Sequence, residues 1–160
     1  MGQENYIQNP YRLGILGEHS AGAVNVDSYV CDQDLQIGAV VAYGATEQEC
    51  APVDGATTAA QVAGVVVVDT HSDHYNDPEI VEAQTTVPVA RMGVWTVRFE
   101  TAINKGDPVF FRTTAPGTET LGALRADDDG GNAVALPGCV AGSTTSGPGE
   151  LGYLRVNLPA

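Results

Sequence analysis

Short runs of β-branched and aromatic residues recur along this 160-residue chain, and glycine or proline cuts each one short. That spacing constrains the fold more than any other feature. A helix declares itself through apolar positions every three or four residues over about 12 residues, and no stretch here sustains that period. Residues 35–43 (LQIGAVVAY) form an apolar run broken by Gly38 and stopped by Gly44. Residues 61–69 (QVAGVVVVD) hold four consecutive valines, the pattern of a buried strand. Residues 86–92 alternate around Pro88, which predicts a sheet edge or a bulge, because proline cannot donate to a strand ladder. Gly93 is expected to break the chain before residues 94–101 (VWTVRFET). There Trp95, Val97 and Phe99 point one way, Thr96, Arg98 and Glu100 point the other, and Val94 is the exception to the alternation.

The remaining strand signals follow at similar intervals. A turn at Asn104, Lys105, Gly106 and Asp107 leads into residues 108–112 (PVFFR), and residues 121–126 come next. An Asp/Gly turn at 127–132 suits residues with positive φ. Residues 133–136, 139–144 and 151–158 complete the set, with a loop at 143–150. Two stretches, 57–63 and 78–83, could hold short helices, but neither reaches the length at which helical periodicity persuades. The 20 valines and 14 threonines agree with strands, and 19 glycines and 9 prolines with many short turns. Strands of this length at this spacing predict an all-β sandwich or barrel in one domain, without an internal repeat or a linker.

Residues 1–30 differ from the rest. They show neither the period of a strand nor that of a helix, and we read them as an extended arm on a body of residues 31–160. The arm carries Tyr6, Ile7, Tyr11, Leu13, Ile15 and Leu16, which must be buried somewhere. They either pack back on the body or dock on a neighbouring molecule, and exposed aromatic–aliphatic segments mark interaction sites. These six residues are the candidate interface.

Charge narrows the partners. The chain has 20 acidic and 7 basic residues, a formal charge of -13, and Lys105 as its one lysine. Such a field repels phosphate backbones and anionic lipid heads, so neither nucleic acid nor a membrane surface is expected. No apolar run approaches the ~20 residues that span a bilayer. Met1 to Asn5 show no basic region leading into an apolar one, so export is not expected.

Candidates for chemistry are few. Asp69, His71, Asp73 and His74 cluster after the valine run and could ligate a divalent metal. A closed site needs a third protein ligand, His19 is the one further histidine, and the H-x-x-H spacing is not that of a helical H-E-x-x-H. The bland alternative is a polar loop with Asx turns. Asp127, Asp128 and Asp129 resemble a calcium loop only superficially, since its twelfth position, counted from Asp127, is Gly138 rather than glutamate. No G-x-S-x-G elbow and no phosphate-binding loop is present. Cys31, Cys50 and Cys139 lack C-x-x-C spacing and read as small buried thiols of a reducing compartment. Trp95, Phe99, Phe110 and Phe111 read as core, and Arg91, Arg98, Arg112, Arg125 and Arg155 as partners of the surplus carboxylates. No catalytic residue, metal site or cofactor is expected.

Several strings carry a family resemblance. In order they are Leu16-Gly17-Glu18, Gly38-Ala39-Val40-Val41, Ala63-Gly64-Val65-Val66-Val67-Val68 and Pro88-Val89-Ala90-Arg91. Gly93-Val94-Trp95-Thr96-Val97, Ile103-Asn104-Lys105-Gly106-Asp107-Pro108-Val109 and Leu154-Arg155-Val156-Asn157-Leu158 follow. The chain resembles, over residues 35–158, the structural cement or head decoration proteins of tailed bacteriophages. The resemblance implies a compact β-barrel or β-tulip-like body with an extended N-terminal arm. It also implies a homotrimer on the outer surface of the expanded capsid, made in the host cytoplasm. The major capsid protein would be the partner, and the arm would staple neighbouring capsid subunits against the pressure of packaged DNA. The polar stretch 70–86 departs from the family pattern and has no assigned role. Two other readings stand beside this one: a glycan- or receptor-binding virion module, and a metal-dependent hydrolase using His71, Asp73 and His74.

Overall fold

A computed structural model describes residues 24–68 and 79–159 of the chain. Eleven strands account for the regular structure of these residues: β1 (Asn25–Val30), β2 (Leu35–Gln36), β3 (Val40–Tyr43), β4 (Cys50–Pro52), β5 (Val62–Val66), β6 (Ile80–Val81), β7 (Thr86–Arg98), β8 (Pro108–Arg112), β9 (Leu124–Arg125), β10 (Ala133–Ala141) and β11 (Leu151–Asn157). Two single-turn 3-10 helices, Ala59–Gln61 and Asp129–Gly131, are the only helical pieces among them. The all-β expectation holds. Of the two helical candidates, 57–63 keeps only the Ala59–Gln61 turn, and 78–83 contains β6 instead.

Nine strands form one antiparallel sheet in the order β4-β3-β5-β7-β11-β10-β8-β9, with β1 also paired to β7. β2 and β6 form a separate two-stranded ribbon. The main sheet curls until its two ends approach each other. Val40 donates to the carbonyl of Gly122 at 2.8 Å, and Phe99 bridges to Leu124. The body is therefore a curled, half-closed barrel. Gly122 makes the closure possible: its φ is +79°, and a Cβ there would lie 2.3 Å from the Val40 carbonyl oxygen. Gly38, at φ +87°, turns the run 35–43 out of the ribbon and into the main sheet, so this run is two strands rather than one.

β7 organises the sheet, and here the structure corrects the sequence reading. Gly93 does not break the chain; the strand runs unbroken for 13 residues. Its first half pairs with β1, from Thr86↔Val30 to Met92↔Asn25, and its second half with β11, from Met92↔Asn157 to Arg98↔Leu151. The β1 register jumps from Ala90 to Met92, which leaves Arg91 as an extra residue. One extra residue reverses the side-chain alternation of everything beyond it. Val87 and Val89 thus enter a smaller core with Tyr29, Leu35, Ile37, Val41 and Val81. Trp95, Val97 and Phe99 enter the main core with Phe111, Leu124, Leu154 and Val156. The valine run is shared likewise, Val65 and Val67 facing the main core and Val66 the smaller one. Pro88 lies inside the β7–β1 pairing, opposite Ser28. Its missing N–H falls where β5 has ended, and its carbonyl still accepts from Val67 at 3.0 Å.

Candidate functional site

Two polar assemblies stand out on the body. The first lies at the end of the barrel where β7 stops. Arg112 on β8 and Arg125 on β9 are brought together by the β8–β9 pairing, and their side chains are only 4% and 8% exposed. Burying two guanidinium groups is costly unless each is ion-paired and hydrogen-bonded. Arg112 donates from Nε to both carboxylate oxygens of Glu100, at 3.0 and 2.9 Å, and from Nη1 to Asp129 at 2.7 Å and the Thr114 carbonyl at 3.2 Å. Arg125 donates from Nη1 to Glu100 at 3.3 Å and from Nη2 to Asp127 at 2.7 Å, with Asp129 at 3.2 Å. Three carboxylates thus enclose two cations. The Arg112 hydrogen bond, helped by the charges of both arginines, holds the Asp129 carboxyl below its usual range against the opposing effect of desolvation. The Asp127–Asn132 turn consequently does not present a calcium loop, because Asp127 and Asp129 are spent on the arginines and Asp128 accepts from the Gly130 N–H at 3.3 Å. A cleft of about 460 Å³ opens beside this clasp, bounded by Ile37, Ala39, Phe99, Thr120 and Ala123.

The second assembly sits at the β7 bulge, where the described chain begins and ends. Arg91, the extra residue, donates from Nη1 to the Tyr43 hydroxyl and, at 2.9 Å, to the Ala63 carbonyl. Its Nη2 donates to the Pro159 carbonyl at 2.7 Å, and its Nε lies 4.0 Å from Asp27. One side chain therefore joins β1, β3, β5 and the segment after β11. Val24, just before β1, and Val26 and Val30 on β1 are exposed, as is Tyr43, which packs edge-on against Tyr29 with ring centroids 6.4 Å apart. This apolar strip on β1 has no counterpart in the sequence reading, which placed residues 25–30 in the arm. The alternation of Val24, Val26 and Val30 was the one local signal for it.

The expected arginine–carboxylate pairing is seen for Arg91, Arg112 and Arg125, and for Arg98, whose Nη2 lies 2.6 Å from Glu79. Arg155 makes no ion pair among the described residues. Trp95, Phe99 and Phe111 are buried as core, whereas Phe110 is only half-buried. All three cysteines are free and buried. The proposed interface residues Tyr6, Ile7, Tyr11, Leu13, Ile15 and Leu16 lie outside the described residues, as do His19, His71, Asp73 and His74. Among the described residues, no three His, Cys, Asp or Glu side chains are grouped to hold a metal, and no helix is long and apolar enough to cross a membrane.

Residues 3–157 match the phage cement family described as structural cement protein (E217 gp24/Pam3 gp6). A chain in the structure of the capsid of Myoviridae phage XM1 is 21% identical, with a TM-score of 0.71 over 91% of this chain and 89% of that one, and shares the fold. The N base of head fiber gp8.5 in bacteriophage phi29 aligns at 14% identity and a TM-score of 0.48, over 84% of this chain and 95% of that one. No curated protein matches the sequence.

Proposed function

Since the chain belongs to the phage structural cement family, a capsid-stabilising protein of the virion, we propose that it binds the outer surface of the expanded head and staples neighbouring major capsid protein subunits together. The match from residue 3 to residue 157 carries this reading, because it takes in both the arm and the body. The protein acts as a homotrimer without catalysis, is made in the host cytoplasm, and has no nucleic acid or membrane partner. Its charge supports that placement. With a net charge of -13 over the whole chain, the protein is repelled by packaged DNA and stays soluble as free copies before assembly.

The work is mechanical. The arm residues Tyr6, Ile7, Tyr11, Leu13, Ile15 and Leu16 bury apolar surface on the capsid, and the extended segment satisfies its backbone groups by strand addition. Each contact is weak alone. Several arms on one trimer raise the effective concentration of each, so the staple holds where a single arm would release. The body's part is rigidity: a curled sheet closed at Gly122 and clasped by Arg112 and Arg125 passes tension between arms instead of absorbing it. Deleting residues 1–22 tests the arm. The truncated chain should keep its β-sheet circular dichroism and lose binding to expanded heads; normal decoration of heads by the truncated chain overturns the proposal.

A further inference from the structure

The Val30 N–H donates to the Gln48 carbonyl at 2.9 Å, and Val30 forms a parallel bridge with Glu49. The next residue on each segment is a cysteine, Cys31 after Val30 and Cys50 after Glu49. Neighbouring positions on paired strands lie about 4.8 Å apart, within the Cα separation that a disulfide accepts. Both thiols are buried in the same apolar cluster, and Cys31 is close enough to Cys50 to add to the upward shift of its pKa. Cys139 belongs to the other cluster and cannot compete.

We propose that Cys31 and Cys50 are a latent disulfide pair that closes when the protein meets a low-molecular-weight disulfide. The Cys31 or Cys50 thiolate attacks one sulfur of the reagent, forming a mixed disulfide and expelling one thiolate. The second cysteine thiolate then attacks the protein-side sulfur, forms the Cys31–Cys50 bond and expels the other. The two cysteines give up two electrons and two protons, and the reagent leaves as two thiols. The closed loop spans residues 31–50 and holds β2 and β3, so it ties the end of β1 covalently to β4. Burial pushes the Cys50 thiol up to about 12, with Cys31 beside it adding to the shift. The thiolate is therefore scarce, and closure is slow in the folded protein. A reducing cytoplasm keeps the pair open, and an oxidising medium closes it.

The test needs only the full-length wild-type chain. It is held at pH 8.5 with oxidised glutathione for several days, then unfolded, alkylated with iodoacetamide and measured by intact mass and peptide mapping. The expected result is a fall in alkylated thiols from three to one, no retained glutathione, and a single cross-linked peptide pair containing Cys31 and Cys50. Three alkylated thiols, glutathione retained on either residue, or a link to Cys139 would each overturn the proposal. Particle binding does not enter the readout, so it is independent of the cement reading.

Discussion

Glu100, in the segment after β7, receives Nε of Arg112 on both of its carboxylate oxygens, at 3.0 and 2.9 Å. It also accepts from Arg125 at 3.3 Å, so both buried arginines share it, as they share Asp129. Removing one partner from a buried ion cluster leaves uncompensated charge. Glu100→Ala should therefore destabilise the body by about 3 kcal/mol, read from the urea unfolding midpoint at constant slope. Asp127→Ala, which removes a carboxylate that is mostly exposed, should cost clearly less.

The same clasp sets an acid limit. Asp129 titrates below its usual value in the folded protein, chiefly through its hydrogen bond from Arg112. A depressed carboxylate contributes stability that is fully present above its unfolded value, near pH 4, and is lost as pH falls through its folded value. Glu150 is shifted in the same direction, by the Ser146 backbone N–H at 2.7 Å and hydroxyl at 2.8 Å. Wild-type stability should be flat above about pH 5 and fall below about pH 4. In Asp129→Asn the fall below pH 4 should be shallower, in denaturant midpoints taken between pH 7 and pH 2.5.

Closure of the barrel hangs on one backbone position. Gly122 sits at φ +79°, and an added Cβ would meet the Val40 carbonyl oxygen at 2.3 Å. Gly122→Ala carries roughly 1–3 kcal/mol of conformational strain before any clash is counted. Its unfolding midpoint should drop by at least that much. Gly130→Ala is the control, since it also has a positive φ but open space around it, and it should show the strain alone.

Arg91 is predicted to act locally. Arg91→Ala removes the side chain that joins Asp27, Tyr43, Ala63 and Pro159. Amide hydrogen exchange should speed up at Asp27 and Tyr29 on β1, while Val97 and Leu154 in the middle of the β7–β11 pairing keep their protection. Uniform loss of protection across the sheet would contradict a local clamp.

Much of this architecture was written in the order of residues. The runs at 108–112 and 151–158 became β8 and β11 almost residue for residue, because each is a short run rich in apolar residues with a turn or loop at its start. β7 was misread at Gly93 for a physical reason. Whether a glycine ends a strand or is carried through it is decided by the strands beside it, and β1 and β11 meet β7 from distant parts of the chain. The clasp was legible in kind but not in detail: surplus carboxylates were expected to meet the arginines, yet Glu100 reaches Arg112 and Arg125 only because β8, β9 and the end of β7 converge. Arg155 shows the limit, as it stands in a strand like the others without an ion pair among the described residues. The roles of the arm residues and of the His71–His74 loop are not written in the body at all.

Particles from the source of this chain offer the most direct test of the cement reading, through the copy number of this protein relative to the major capsid protein. Mass spectrometry against labelled peptide standards supplies the ratio. A lattice-wide cement predicts a value near one or a simple fraction of one, the same in every preparation of filled heads. A handful of copies per particle, or none, would contradict it.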